Sequence, residues 1–362
     1  MNNPIKNLYL LGQSLWFDNL QRRSLTNGEI AALIDRGELR GMTSNPTIFN
    51  NAIVKSKDYD SAILPMARSG VNAEEIFWNL AVEDINTALK LFAGVYERTK
   101  GNDGFVSIEV NPFYANDTTA TINQVRELWN LINKPNLMIK IPATAEGLPA
   151  IRQMTAEGIN INITLIFSID RYLEVIHAYL NGIKDRLSAG KPVDNISSVA
   201  SFFVSRVDSK VDERLPANSG LFGKAAIANT KLAYVEFERI FKSAEFKELQ
   251  SSGCKIQRPL WASTSTKNPT YPDTLYVDEL VGPNTVNTIP PATLDAFRDH
   301  GKAELTITKD VESAQKVISD LSKLGINMDD VTGELEIEGV KAFKDSFASL
   351  LETLEFRSKH ID

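Results

Sequence analysis

The chain has 362 residues, 43% of them hydrophobic and 23% charged, which is the composition of a globular protein with ample apolar material for a large core. A formal net charge of −7, with no block of Lys and Arg, argues against a nucleic-acid binder, whose electrostatic footprint is basic. Cys254 stands alone and forms no internal disulfide, no run reaches the ~20 apolar residues of a membrane span, and Met1 to Leu10 lacks a signal-peptide pattern, so the expected compartment is the cytoplasm.

Eight short apolar or β-rich runs recur along the chain, at 15–18, 41–45, 105–110, 137–143, 162–168, 198–204, 258–264 and 285–290. Helical patterns lie between them. Asn72, with Glu75 three residues on, opens a run with Ile76, Leu80, Ile85, Leu89 and Phe92 on one face of a 3.6-residue period. Asp117 caps a second run, with Ile122, Val125, Leu128 and Ile132, which Pro135 stops. Ser168 caps a third, with Leu173, Ile176, Leu180 and Ile183, ending near Gly190. Asp310 begins a fourth, with Ala314, Ile318 and Leu321, ending at Gly325. The tail at 328–356 carries Val331, Leu335, Phe343, Phe347 and Leu350 and reads as one or two closing helices.

Strands alternating with helices imply parallel pairing through βαβ units, and eight units point to an α/β (β/α)8 TIM barrel with additional helices. An open doubly wound sheet is the rival architecture, but no glycine-rich phosphate turn follows residues 15–18. About sixty residues separate the second and third strands. We read residues 1–362 as a single barrel domain with a helical insertion near 50–100 and closing helices near 310–356.

The fourth strand carries Lys140 inside Leu137-Met138-Ile139-Lys140-Ile141-Pro142. Burial disfavours the ammonium form of such a lysine, and the neutral amine is a carbonyl-directed nucleophile. Taken alone, the same lysine could lie at a strand end with its ammonium in water. Its neighbours shift the balance, because polar residues end or interrupt the other strands: Asp18, Asn45, Glu109, Asn162 with Thr164, Ser201 and Ser263. Barrel enzymes place their active sites at the C-terminal ends of the strands. A nucleophilic lysine, acid–base carboxylates and groups that fix a polyol are the parts of an amine-catalysed carbon–carbon cleavage. Such chemistry needs no metal or other cofactor, since a protonated imine is itself the electron sink, and His177, His300 and His360 show no ligand spacing.

Five blocks in order carry a resemblance to the longer-chain branch of the transaldolase family: Thr43-Ser44-Asn45-Pro46-Thr47, Val106-Ser107-Ile108-Glu109-Val110, Ile139-Lys140-Ile141-Pro142-Ala143-Thr144, Gly158-Ile159-Asn160-Ile161-Asn162-Ile163-Thr164-Leu165 and Ser201-Phe202-Phe203-Val204-Ser205-Arg206-Val207. The resemblance implies a class I (Schiff-base) barrel enzyme of the pentose phosphate pathway. Such an enzyme moves a dihydroxyacetone unit from sedoheptulose 7-phosphate or fructose 6-phosphate to glyceraldehyde 3-phosphate or erythrose 4-phosphate. It implies roles as well. Lys140 matches the imine-forming lysine, and Asp18 the carboxylate that takes the C4 hydroxyl proton as C3–C4 breaks. Glu109 and Thr164 match the pair that holds a water and shuttles protons. Asn45, Asn162 and Ser201 match groups that bond the dihydroxyacetone unit, Phe203 an aromatic wall and Arg206 a phosphate ligand.

After the seventh strand the chain departs from shorter family members, which carry an Ala-Ser-Phe-Arg pattern. Here the run is Ala262-Ser263-Thr264-Ser265-Thr266-Lys267, so Lys267, with Ser263 or Ser265, is the candidate second phosphate site. Two rivals share the scaffold, an aldolase that releases dihydroxyacetone and a non-catalytic sugar-phosphate binder. Related aldolases tend to carry glutamine at the position of Glu109, and a binder is expected to have lost Lys140. An NAD enzyme lacks its glycine-rich fingerprint here.

Overall fold

The computed structural model describes residues 3–360. Eight strands, β1 (Gln13–Asp18), β2 (Gly41–Thr43), β3 (Val106–Glu109), β4 (Leu137–Pro142), β5 (Ile161–Ile166), β6 (Ser198–Phe203), β7 (Gln257–Ala262) and β8 (Thr285–Ile289), pair in chain order and close into a barrel. Every pair is parallel, and the seam joins Gln13–Phe17 of β1 to Thr285–Ile289 of β8. Every residue of β4, β5 and β6 is buried, since one face packs on helices and the other fills the barrel. That is why these strands read as near-continuous apolar runs rather than as alternating ones.

Three of the expected caps form as read. Asn72 Oδ1 accepts from Glu75 N, Asp117 Oδ1 from Ala120 N, and Ser168 Oγ from Arg171 N. Asp310 differs: it precedes helix Val311–Lys323 at φ +57 and makes no side-chain cap. The second strand is shorter than its sequence pattern, ending at Thr43, because Asn45 caps the next helix through Ile48 N at 2.9 Å. Helices Pro46–Val54, Asp60–Arg68 and Ala73–Arg98 fill the long connection to β3. The periodicity reading assigned no helix between the sixth and seventh strands, where Ser205–Asp212, Ala225–Phe241 and Ala244–Ser251 form.

The 328–356 tail is one helix, Met328–His360, laid across the C-terminal ends of the strands. Ser346 Oγ lies 2.9 Å from Thr47 Oγ1, Phe347 packs edge-on against Phe77, and Arg357 pairs with Asp60 at 3.2 Å. At the opposite end, Asp103 gathers Arg258, Ser14 and Trp16 at 3.0, 2.7 and 3.1 Å and closes the barrel floor.

Gly104 ends the turn into β3 at φ +87, where a Cβ would fall 2.3 Å from Tyr96 N. Both the backbone conformation and the space require glycine. Gly104→Ala is expected to lower stability by about 3 kcal/mol, read as an earlier denaturant midpoint; an unshifted midpoint would contradict the packing described.

Candidate active site

The strands open at their C-terminal ends onto a cavity of about 240 Å³, roofed by Phe343 from the closing helix. Asp18 ends β1, and its Oδ1 accepts a hydrogen bond from Thr43 Oγ1 at the end of β2, 2.9 Å away. Lys140 projects inward from β4 and is 5% exposed. Its Nζ donates to the Ser44 carbonyl at 3.1 Å and stands 3.3 Å from Glu109 Oε2, close enough for an ion pair but without hydrogen-bond alignment. The ladder register sets this arrangement, placing Glu109 beside Lys140 and Lys140 beside Asn162.

Burial pushes the Glu109 carboxyl above its usual range, against the opposing charge of Lys140. Burial raises Asp18 in the same direction, opposed by Lys140, the Thr43 hydrogen bond, Lys267 and Arg206. An aspartate so displaced is a stronger base than one in water.

Asn45, Thr164, Ser201, Phe203, Arg206, Ser263 and Lys267 join Asp18 and Lys140 around the cavity. Asn162 and Glu109 do not line it. Asn162 lies one layer deeper in the barrel, donating from Nδ2 to Ser107 Oγ at 3.0 Å and accepting from Ser201 Oγ at 2.7 Å. Glu109 borders a small void beside Asn45, Trp78 and Phe347. Both Glu109 oxygens and Thr164 Oγ1 are buried without a protein hydrogen-bond partner among the described residues. Just beyond Thr164 the β5–β6 register shifts and Leu165 adopts φ +61, a conformation that costs about 1–3 kcal/mol in a non-glycine residue and tends to be kept at functional sites.

The rim is cationic. Arg206 lies over the Phe203 ring at 5.2 Å, and among the described residues it has no carboxylate at ion-pair distance. Asp208, two residues on, is not its partner; that carboxylate accepts from Ala226 N and Tyr276 OH, both at 2.7 Å, and burial raises it to about 6. Lys267 Nζ donates to Ser265 Oγ at 2.8 Å. Ser263 sits at φ +57 with its Oγ 3.0 Å from Ser205 Oγ.

Sequence reasoning assigned no role to Thr43, the Ser44 carbonyl or Phe343. Thr43 and Ser44 lie inside Thr43-Ser44-Asn45-Pro46-Thr47, so proximity to Asn45 was their available signal. Phe343 had none, because its helix reaches the mouth only through tertiary packing. Among the described residues no three His, Cys, Asp or Glu side chains cluster as a metal site, and no helix is long and apolar enough to cross a membrane.

A closed parallel barrel holding a buried lysine between two carboxylates, under a cationic rim, has the construction of a lysine-dependent enzyme of carbonyl compounds. The chain belongs to the Transaldolase/Fructose-6-phosphate aldolase family, whose pattern matches residues 15–354. Curated transaldolases are similar over nearly their whole length. That of Parafrankia sp. (strain EAN1pec) is 46% identical over 360 residues, covering 98% of both chains. That of Saccharopolyspora erythraea is 47% identical, covering 98% of this chain and 97% of its own, and that of Trichodesmium erythraeum 43% identical, covering 100% and 99%. The activity is that of a transferase of the transaldolase type, with sugar phosphate substrates and a general role in the pentose phosphate pathway.

Proposed function

We propose that Lys140 forms the imine with the ketose phosphate donor, that Asp18 accepts the C4 hydroxyl proton as C3–C4 breaks, and that Glu109 with Thr164 relays protons through a bridging water while the imine forms and is hydrolysed. The observation that carries this reading is the placement of Lys140 Nζ at the cavity wall, 3.3 Å from a carboxylate whose own affinity for protons is raised by burial. The unpartnered oxygens of Glu109 and Thr164 support a shared water, since buried polar atoms are normally satisfied.

The three-carbon fragment remains on Lys140 as an enamine until an aldehyde arrives. Ser201 and Asn45 bond its hydroxyls, and Asn162 acts from beneath by fixing the Ser201 hydroxyl. Each such bond contributes ~0.5–1.5 kcal/mol net, so a few together slow loss of the fragment by orders of magnitude. Phe203 forms the wall, while Arg206 and Lys267, with Ser263 near them, hold the phosphate. A guanidinium presents a fork of donors that matches phosphate oxygens. In this reading the whole chain is one catalytic domain, and the lone buried Cys254 suits a cytoplasmic location.

The test is borohydride reduction in the presence of fructose 6-phosphate without acceptor. The expected result is a single mass adduct on Lys140 with little free dihydroxyacetone. An adduct elsewhere, or stoichiometric release of dihydroxyacetone in each turnover, would overturn the assignment in favour of another amine or of a simple aldolase.

A further inference from the structure

Arg206 and Lys267 approach the cavity from different elements, the Ser205–Asp212 helix and the 263–274 segment after β7. Like charges repel, more strongly where water is thinned out, and the repulsion between these two is felt at Lys267. At their starts the two elements are joined by Ser205, whose N–H donates to Ser263 O at 3.0 Å and whose Oγ lies 3.0 Å from Ser263 Oγ; farther along, toward Lys267, a second tie is needed.

The Arg206 helix supplies two carboxylates for this. Asp212 Oδ2 accepts from Tyr271 OH at 2.6 Å, while its Oδ1 accepts from Gly223 N at 3.1 Å. One turn earlier, Asp208 does the same for Tyr276 and Ala226 N. Tyr271 lies four residues beyond Lys267, in a turn fixed by its N–H donating to Asn268 O at 3.1 Å. Its ring is seated against Gly223, where a Cβ would fall 2.9 Å from Tyr271 Cζ. Burial, then Asp212 itself, holds the phenol well above its ordinary value, so it stays a donor.

We infer that the Asp212–Tyr271 hydrogen bond is a positioning device that sets the spacing of Arg206 and Lys267, and through it the preference for phosphorylated over unphosphorylated substrates. This rests on the reading that those two cations hold the phosphate. Tyr271 does not line the active-site cavity; it acts through the segment that carries Lys267.

The experiment compares kcat/KM for glyceraldehyde 3-phosphate and for glyceraldehyde, with fructose 6-phosphate as donor, in Tyr271→Phe, Lys267→Ala and the double variant. In a two-step transfer this ratio for the acceptor reports the second half-reaction alone. Tyr271→Phe keeps the ring against Gly223 and removes only the hydroxyl. It is expected to lower the value for the phosphorylated acceptor about tenfold, the lower end of the scale of one hydrogen bond to a charged group, and to leave the other unchanged. In the Lys267→Ala background it should add nothing, because its effect passes through that ammonium. Equal losses with both acceptors, no loss, or an additive double variant would overturn the inference. A selective loss in Tyr271→Phe alongside a silent Lys267→Ala would do so as well, and would also remove Lys267 from the phosphate site. Selective loss in Lys267→Ala with none in Tyr271→Phe leaves the phosphate site standing and removes only the positioning role.

Discussion

Replacing Lys140 with methionine is expected to abolish transfer, by on the order of 10⁴-fold or more, while the barrel still folds. Methionine fills the space of the lysine stem but offers no electron pair to a carbonyl, so no imine forms and no borohydride adduct appears. The fold survives for a reason visible in the site. Burial raises the Glu109 carboxyl and the Lys140 charge opposes that shift, so removing the charge favours uptake of a proton by Glu109 over a stranded anion. A circular dichroism spectrum like that of the parent, together with absent turnover, is the predicted pair of results. Substantial residual transfer would mean that a different amine carries the reaction.

Asp18→Asn separates proton abstraction from imine formation. Asparagine can still accept the Thr43 hydrogen bond through Oδ1, so the geometry at the end of β1 is retained. Without a base at the C4 hydroxyl, kcat should fall roughly 10²–10⁴-fold, yet the borohydride adduct on Lys140 should still form. The pH profile adds a second reading. Wild-type activity needs Asp18 deprotonated, so it should fall as pH drops through a value that burial has moved above the usual carboxylate range, and that limb should vanish in the variant. Near-normal cleavage by Asp18→Asn would show that another group takes the proton, and loss of the adduct would move Asp18 to the imine-forming steps.

The strands were legible because parallel barrel strands are buried on both faces and leave continuous apolar runs, in which Asp18, Glu109 and Lys140 stand out as charges without a solvent-facing excuse. What the pattern could not supply was depth. Asn162 and Thr164 look alike in Asn162-Ile163-Thr164, both pointing into the barrel, but only Thr164 reaches the cavity while Asn162 is tied to Ser107 and Ser201. Asn45 read as the end of a strand because a cap and a strand end share the same extended backbone. The helices of the 205–251 stretch escaped notice in part because Ala225–Phe241 buries Ala226, Asn229, Thr230 and Lys231 alongside its larger apolar residues, which blurs the period. Phe343 and the Asp212–Tyr271 bond join residues far apart in sequence, and such contacts exist only once the chain is packed.

The seam of the barrel carries a kinetic consequence. Gln13 Nε2 bonds Thr285 Oγ1 across 272 positions, so the ladder that completes the cylinder is the one whose closure forfeits the most chain entropy. Neighbouring strands can zip early from local encounters, but Asp18 rides on β1 and takes its place in a closed mouth only after β8 docks. Refolding molecules should therefore regain helical signal before they regain turnover, with competence arriving at the moment the cylinder shuts.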